Sequence, residues 1–276
     1  MKRSAGKMFV KIFTRSIIVV AILLTTCVLS YKAAVYIFQP KEEAELAYQD
    51  DVITDESDNN VKVEEIAKNL IFCYDDKSKN INKIVLEILN AKKNKLTYLT
   101  IPVNTKLTVS NSLYKRMMVD RPEIPQVLKL SALTKYLDFK KKFGYGTKIT
   151  QELIGAEINY YTVIPQSLYE TIFTDREVKS QDGQESVMQQ VFTDDFRKHL
   201  KTLDSKKKLK AYIKELSSDV KSNLSAANKV KYADNYFNAL TNDISYDVIM
   251  GINQNSGYTV DLEAAAKQLA QASSAQ

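Results

Sequence analysis

Ser16–Phe38 is a run of 23 residues with one charged side chain, Lys32, and a core reading Ile17-Ile18-Val19-Val20-Ala21-Ile22-Leu23-Leu24. As a helix rising ~1.5 Å per residue it would reach about 34 Å, enough for the hydrocarbon layer of a bilayer. Lys2, Arg3, Lys7, Lys11 and Arg15 precede the run, and Glu42, Glu43, Glu45, Asp50 and Asp51 follow it. Basic residues on one flank and acidic on the other orient such a span with its amino terminus in the cytoplasm. The reading is a basic cytoplasmic tail over 1–15 and a single-pass membrane anchor over 16–38, with everything beyond outside the cell. Tyr31, Tyr36 and a snorkelling Lys32 would sit at the interface. Two other readings of the run are a cleaved signal peptide and a lipidated Cys27, and both also deliver the remainder to the outer face.

Charge divides the chain into three blocks. Residues 1–38 hold six basic and no acidic side chains, whereas 39–60 hold one basic and eight acidic ones. The second block, extended to residue 62, has few apolar positions to bury and reads as a solvated acidic stalk. Its acids lack the glycine-punctuated spacing of a calcium loop. The rest of the chain is ordinary in composition, since the whole is 45% hydrophobic and 26% charged, so wholesale disorder is excluded. Two cysteines make no disulfide framework, and one histidine, His199, makes no multi-histidine metal centre. A serine-protease triad would have to use that residue, in a lysine-rich helical stretch. A domain outside the membrane is also no nucleic-acid binder, despite a pI near 9.0.

From residue 63 the apolar pattern alternates between periods. Asn69–Tyr74, Ile84–Leu89, Leu96–Ile101 and Ile158–Ile164 read as strands, with Asn90–Lys95 as a turn. Spacings of three and four predict helices over Pro125–Asp138, Pro165–Phe173 and Val230–Leu240. Gly144-Tyr145-Gly146 reads as a turn into a short helix, Thr147–Ile154, capped by Gly155. Leu209, Tyr212, Ile213, Leu216 and Val220 form the apolar stripe of another helix, ringed by Lys206, Lys207, Lys208, Lys210 and Lys214. The last hundred residues read as helical. The expected class is a mixed α/β domain over 63–250, a central sheet flanked by helices, with a tail over 251–276 whose helix frays.

Lys95-Leu96-Thr97-Tyr98-Leu99-Thr100-Ile101-Pro102-Val103-Asn104-Thr105 resembles the strand-to-loop motif of LytR-CpsA-Psr domains, which ends Ser-Ile-Pro-Arg-Asp-Thr. Asn69–Asp76, Asn82–Leu89, Lys129-Leu130-Ser131-Ala132 and Leu153-Ile154-Gly155 followed by Ile158-Asn159-Tyr160-Tyr161 fall in that family's order. The resemblance spans about residues 65–173. It implies a Gram-positive envelope protein of the kind that transfers glycopolymers from polyprenyl-pyrophosphate carriers to peptidoglycan, assisted by Mg²⁺. It also places a metal-ligating acid at Asp75 or Asp76 and the family's lysine at Lys129. Four catalytic-motif positions correspond to Asn82, Val103, Asn104 and Thr105, and of these only the threonine matches. The family's arginine near Asn80 is missing, and only Arg197 lies between residues 177 and 276.

Departure of a pyrophosphate needs guanidinium donors or a metal to take up developing charge, and Mg²⁺ prefers anionic oxygen ligands. The expectation is therefore a non-catalytic or weakened binder of polyprenyl-linked or wall glycopolymer, able to partner an active paralogue. Its ligand-binding candidates are Asp75, Asp76, Arg116, Arg121 and Lys129. The alternatives are a phosphotransferase using Asp75, Asp76, Lys129 and Arg116 as substitute ligands, and a ligand-free scaffolding ectodomain. The basic stripe Lys206–Lys214 is either a solvated face or a contact for anionic polymer or lipid headgroups.

Overall fold

The computed structural model describes residues 64–180, 185–241 and 244–273. The expected tail, anchor and stalk of residues 1–62 lie outside them. Among the described residues no helix is long and apolar enough to cross a membrane.

The apolar runs nearest the start become three strands, β1 (Ile66–Tyr74), β2 (Ile81–Asn90) and β3 (Lys95–Thr100). Asn90 and Asn94 shape the second connection: the Asn90 Oδ1 accepts from Lys93 N–H at 3.1 Å, and Asn94 takes a φ of 50°. Asparagine tolerates that left-handed backbone better than most residues. β4 (Lys106–Thr108), α1 (Asn111–Asp120), β5 (Val127–Lys129), α2 (Leu133–Tyr136), α3 (Phe139–Ile154) and β6 (Tyr160–Pro165) come next. They are followed by α4 (Gln166–Ile172), β7 (Phe173–Lys179), β8 (Ser186–Phe192), α5 (Asp194–Thr202) and α6 (Lys206–Asp219). β9 (Lys221–Ser222), α7 (Ala226–Lys231), α8 (Ala233–Leu240), β10 (Ser245–Val248), β11 (Gly251–Gln254), β12 (Gly257–Val260) and α9 (Leu262–Ser273) complete the order.

The central sheet is mixed and runs β10-β3-β2-β1-β6-β9. β1 pairs antiparallel with β2 and parallel with β6, and β10 joins β3 in parallel. Side chains alternate across a strand, so each run feeds two cores. Leu70, Phe72, Leu86, Ile88, Leu99 and Val163 face one core, which α1, α3 and α9 cover. Ala67, Ile71, Cys73, Val85, Leu96 and Ile164 face the other, beneath α4, α5 and α8. Burial on both faces is why the strands read as unbroken apolar runs.

Several expected helices fold otherwise. Pro125–Asp138 is β5, a 3-10 turn over Leu130–Ala132 and the short α2. Leu128 pairs with Leu107 across β4–β5, while Leu130, Leu133 and Leu137 are still buried, so the spacing reported burial and not one continuous backbone. Gly144-Tyr145-Gly146 is no turn, because α3 runs through it from Asp138, whose side chain caps Lys141 N–H. A Cβ at Gly146 would lie 3.2 Å from the Phe72 ring, so the glycine serves close packing of helix on sheet. Gly155, at φ 63°, ends α3 as expected. The last hundred residues are not wholly helical: β8 and β9–β12 lie there, and Val230–Leu240 breaks at Tyr232 into α7 and α8. The helix of the tail is α9. Ala265, Leu269 and Ala272 of α9 are buried in the first core.

Candidate functional site

The residues of the expected catalytic loop are tied down by their own backbone. Thr105 is fully buried; its hydroxyl donates to the Pro102 carbonyl at 2.6 Å and its N–H to the same oxygen at 3.0 Å. Leu130 N–H donates to the Thr105 carbonyl, Ser131 N–H to that of Val103, and Tyr258 N–H to that of Asn104. Val103 packs against the first apolar core. The threonine matched in the sequence is thus the lock of a tight turn. Gly257 seals it from outside: with φ 137°, a Cβ there would stand 2.6 Å from the Asn104 carbonyl oxygen and 3.4 Å from Lys129 Cε. Lys129 itself pairs across β4–β5 with Lys106.

The other candidates spread around this rim. Asp75 opens the β1–β2 turn, where its carboxylate accepts from Lys77 N–H at 2.8 Å. Hydrogen bonds from Ser78 and Lys77 hold the Asp75 carboxyl below its ordinary value. Asp76 beside it is exposed. Asn80 accepts from the Thr134 hydroxyl at 3.3 Å, and Thr134 in turn contacts the Ser131 carbonyl, which joins this turn to the Val103 loop. Asn82 instead donates to Gln166 of α4 at 2.7 Å. Arg116 stands half-buried on α1, and Arg121 caps that helix and pairs with Glu123 at 3.6 Å. The anionic oxygens of this set are those of Asp75 and Asp76. Asp75 is already engaged by its turn, Asn80, Asn82 and Asn104 are neutral, and no cluster of three metal-ligating side chains exists among the described residues.

A different part of the molecule holds a cavity. On the other face of the sheet, α5, α6 and α8 roof a space of about 170 Å³. Leu96, Ile164 and Phe192 form part of its floor and walls, and Leu200, Ile213 and Leu216 part of its roof. The apolar stripe of α6 therefore faces inward, while its lysines face out. Lys206 and Lys210 both pair with Asp234, and Lys208 pairs with Asp204. His199, on α5, rests its ring 4.9 Å from that of Tyr212. None of Val103, Asn104 and Thr105 lines this space.

One polar row crosses the apolar floor. Strand register aligns Tyr98, Glu87, Asn69 and Tyr160 side by side on β3, β2, β1 and β6. The buried Glu87 carboxylate accepts from Tyr98 OH at 2.9 Å, Tyr236 OH at 2.5 Å and Asn69 Nδ2 at 3.4 Å. Thr162 Oγ1 donates to Asn69 Oδ1 at 3.0 Å, and Lys229 Nζ reaches Thr162 Oγ1 at 3.4 Å. Burial and the Glu87 charge push the Tyr98 and Tyr236 phenols well up, so both remain donors. Burial brings Lys229 down to about 8, and Glu87 opposes that shift. Sequence reasoning missed this row. Its one legible trace is an acid, Glu87, inside Ile84–Leu89, a run otherwise free of polar side chains.

The likeness to solved structures shows a fold of the LytR-CpsA-Psr type. The chain is similar to the crystal structure of TagV from B. subtilis, at 13% identity and a TM-score of 0.50 over 77% of this chain and 98% of that one. The protein gbs0355 from Streptococcus agalactiae is similar at 14% identity and a TM-score of 0.51, over 75% of this chain and 88% of its own. No protein-family profile matches the chain, and no curated protein does.

Proposed function

We propose that this chain is a membrane-anchored envelope protein that holds the polyprenyl chain of a lipid-linked glycopolymer and does not transfer it. The observation that carries the reading is the apolar cavity between the sheet and α5, α6 and α8. A segment of an isoprenoid chain matches such an apolar space, because its burial is worth about 0.8 kcal/mol per CH₂ and needs no catalytic residue. The fold, and the resemblance of residues 65–173, support the envelope setting. The expected motif argues against turnover: the guanidinium and carboxylates that would stabilise a leaving pyrophosphate are Val103, Asn82 and Asn104, and that loop is closed by backbone bonds. The outward lysines of α6 stand next to the cavity roof, where anionic polymer or headgroups would meet them.

The test is retention of a polyprenyl phosphate by the full chain in detergent, read by native mass spectrometry. One lipid per chain is expected, and none for Ile213→Trp, which fills the cavity from its roof. Equal retention by both would overturn the assignment of the site. Topology is tested separately, with cysteines at Ser4 and Ser57 in a background lacking Cys27 and Cys73. An impermeant thiol reagent should label position 57, and labelling of position 4 alone would reverse the orientation.

A further inference from the structure

The polar row ends in a group whose bonding is incomplete. Lys229 projects from α7 into the cavity wall, and among the described residues its ammonium makes one long contact, to Thr162 Oγ1 at 3.4 Å. An ammonium has three donors, and Lys229 is only partly buried, so its other donors are left to solvent that a bound ligand would displace. The charge that acts on it, Glu87, already accepts from Tyr98, Tyr236 and Asn69. Between Lys229 and Glu87 the bonds point one way, from Lys229 to Thr162 to Asn69 to Glu87. The oxygens are therefore consumed at the Glu87 end and donors are left over at the Lys229 end. A purely apolar ligand would leave that excess unmet, at the cost that attends any buried unpaired donor.

We propose that Lys229 is an anion-binding residue inside the cavity, which receives an anionic oxygen of a single-chain amphiphile, phosphate or carboxylate. The proposal rests on the cavity being a lipid site. It adds that the head of the ligand, and not only its tail, is held beneath α7 and α8, on the side of the sheet away from the Val103–Thr105 loop. A ligand anion next to Lys229 would also favour the charged amine that burial disfavours.

The full chain in detergent is titrated with three probes of matched apolar length: a polyprenyl phosphate, a long-chain carboxylate and the uncharged polyprenol. Binding of one or both anions at least about tenfold tighter than the alcohol is expected, the range for a hydrogen bond to a charged group. Which anion prevails assigns the source. Lys229→Met should abolish that preference while alcohol binding persists. Equal binding of alcohol and anions by the unaltered chain, or an undiminished preference in Lys229→Met, would overturn the role of Lys229 and leave the cavity assignment standing. Binding of none of the three would overturn the cavity assignment itself. The comparison among probes on the unaltered chain needs no variant to fold.

Discussion

Lys229 and Thr105 show how differently two polar residues can sit within one domain. A lysine held near 8 binds fewer protons folded than unfolded, where it titrates near 10.5. Stability should therefore rise with pH once Lys229 begins to lose its proton, and be lowest below about pH 8. The groups around it limit the window. Cys73, pushed by burial up to about 12, and the raised phenols of Tyr98, Tyr160, Tyr212 and Tyr236 stay protonated when folded. They draw stability down above about pH 9, where the unfolded thiol and then the phenols ionise. Urea unfolding from pH 7 to 9 should show a rising midpoint that flattens in Lys229→Met, and a flat profile in the unaltered chain would contradict the placement of this amine. Lys142, lowered by burial, adds a slope of the same sign that the substitution leaves in place. For Thr105, replacement by valine keeps the volume and removes the bond to Pro102. A loss of about 1 kcal/mol is expected from denaturant unfolding, the usual net worth of one such bond.

Among the elements, the C-terminal hairpin and helix do more than a tail would. Gly257 allows β12 to approach the Asn104 carbonyl, and Tyr258 N–H reaches that oxygen. Gly257→Ala should cost about 1–3 kcal/mol, because both the positive φ and the close approach exclude a side chain. Leu269 of α9 is 4% exposed, and Leu269→Ala should cost about 2–5 kcal/mol in thermal or urea unfolding. A chain ending at Met250 would lose both elements. The expected outcome is loss of cooperative unfolding by circular dichroism, and a sharp transition at the original midpoint would restore the reading of 251–276 as a tail.

For the molecule as a whole, the separation of cavity and loop governs the expected chemistry. Each absent charge-stabilising donor typically costs 10²–10³ in rate, about 2.7–4 kcal/mol, although such losses need not add. The full chain should show no Mg²⁺-dependent pyrophosphate hydrolysis or polymer transfer above background, while still retaining polyprenyl phosphate. Turnover abolished by Asp75→Ala or Asp76→Ala would instead establish these acids as substitute ligands.

The sequence by itself determined four of the six strands of the central sheet, β1, β2, β3 and β6, together with the Gly155 cap, the inward stripe of α6 and the order of the motif segments. Those features are local: a period, a turn residue or a run of apolar side chains carries the information. It also made the missing arginine and carboxylates at Val103, Asn82 and Asn104 visible, since identity alone reveals a lost charge. Only the tertiary structure decided that Thr105 locks a turn, that Gly146 lies against Phe72 and that β10 joins the sheet beside β3. The same is true of the row around Glu87 and Lys229, whose six members come from four strands and two helices separated by up to 167 residues. Strand register and helix packing bring these residues together. Hydrophobic periodicity records which side of an element is buried, and does not record which distant element will cover it.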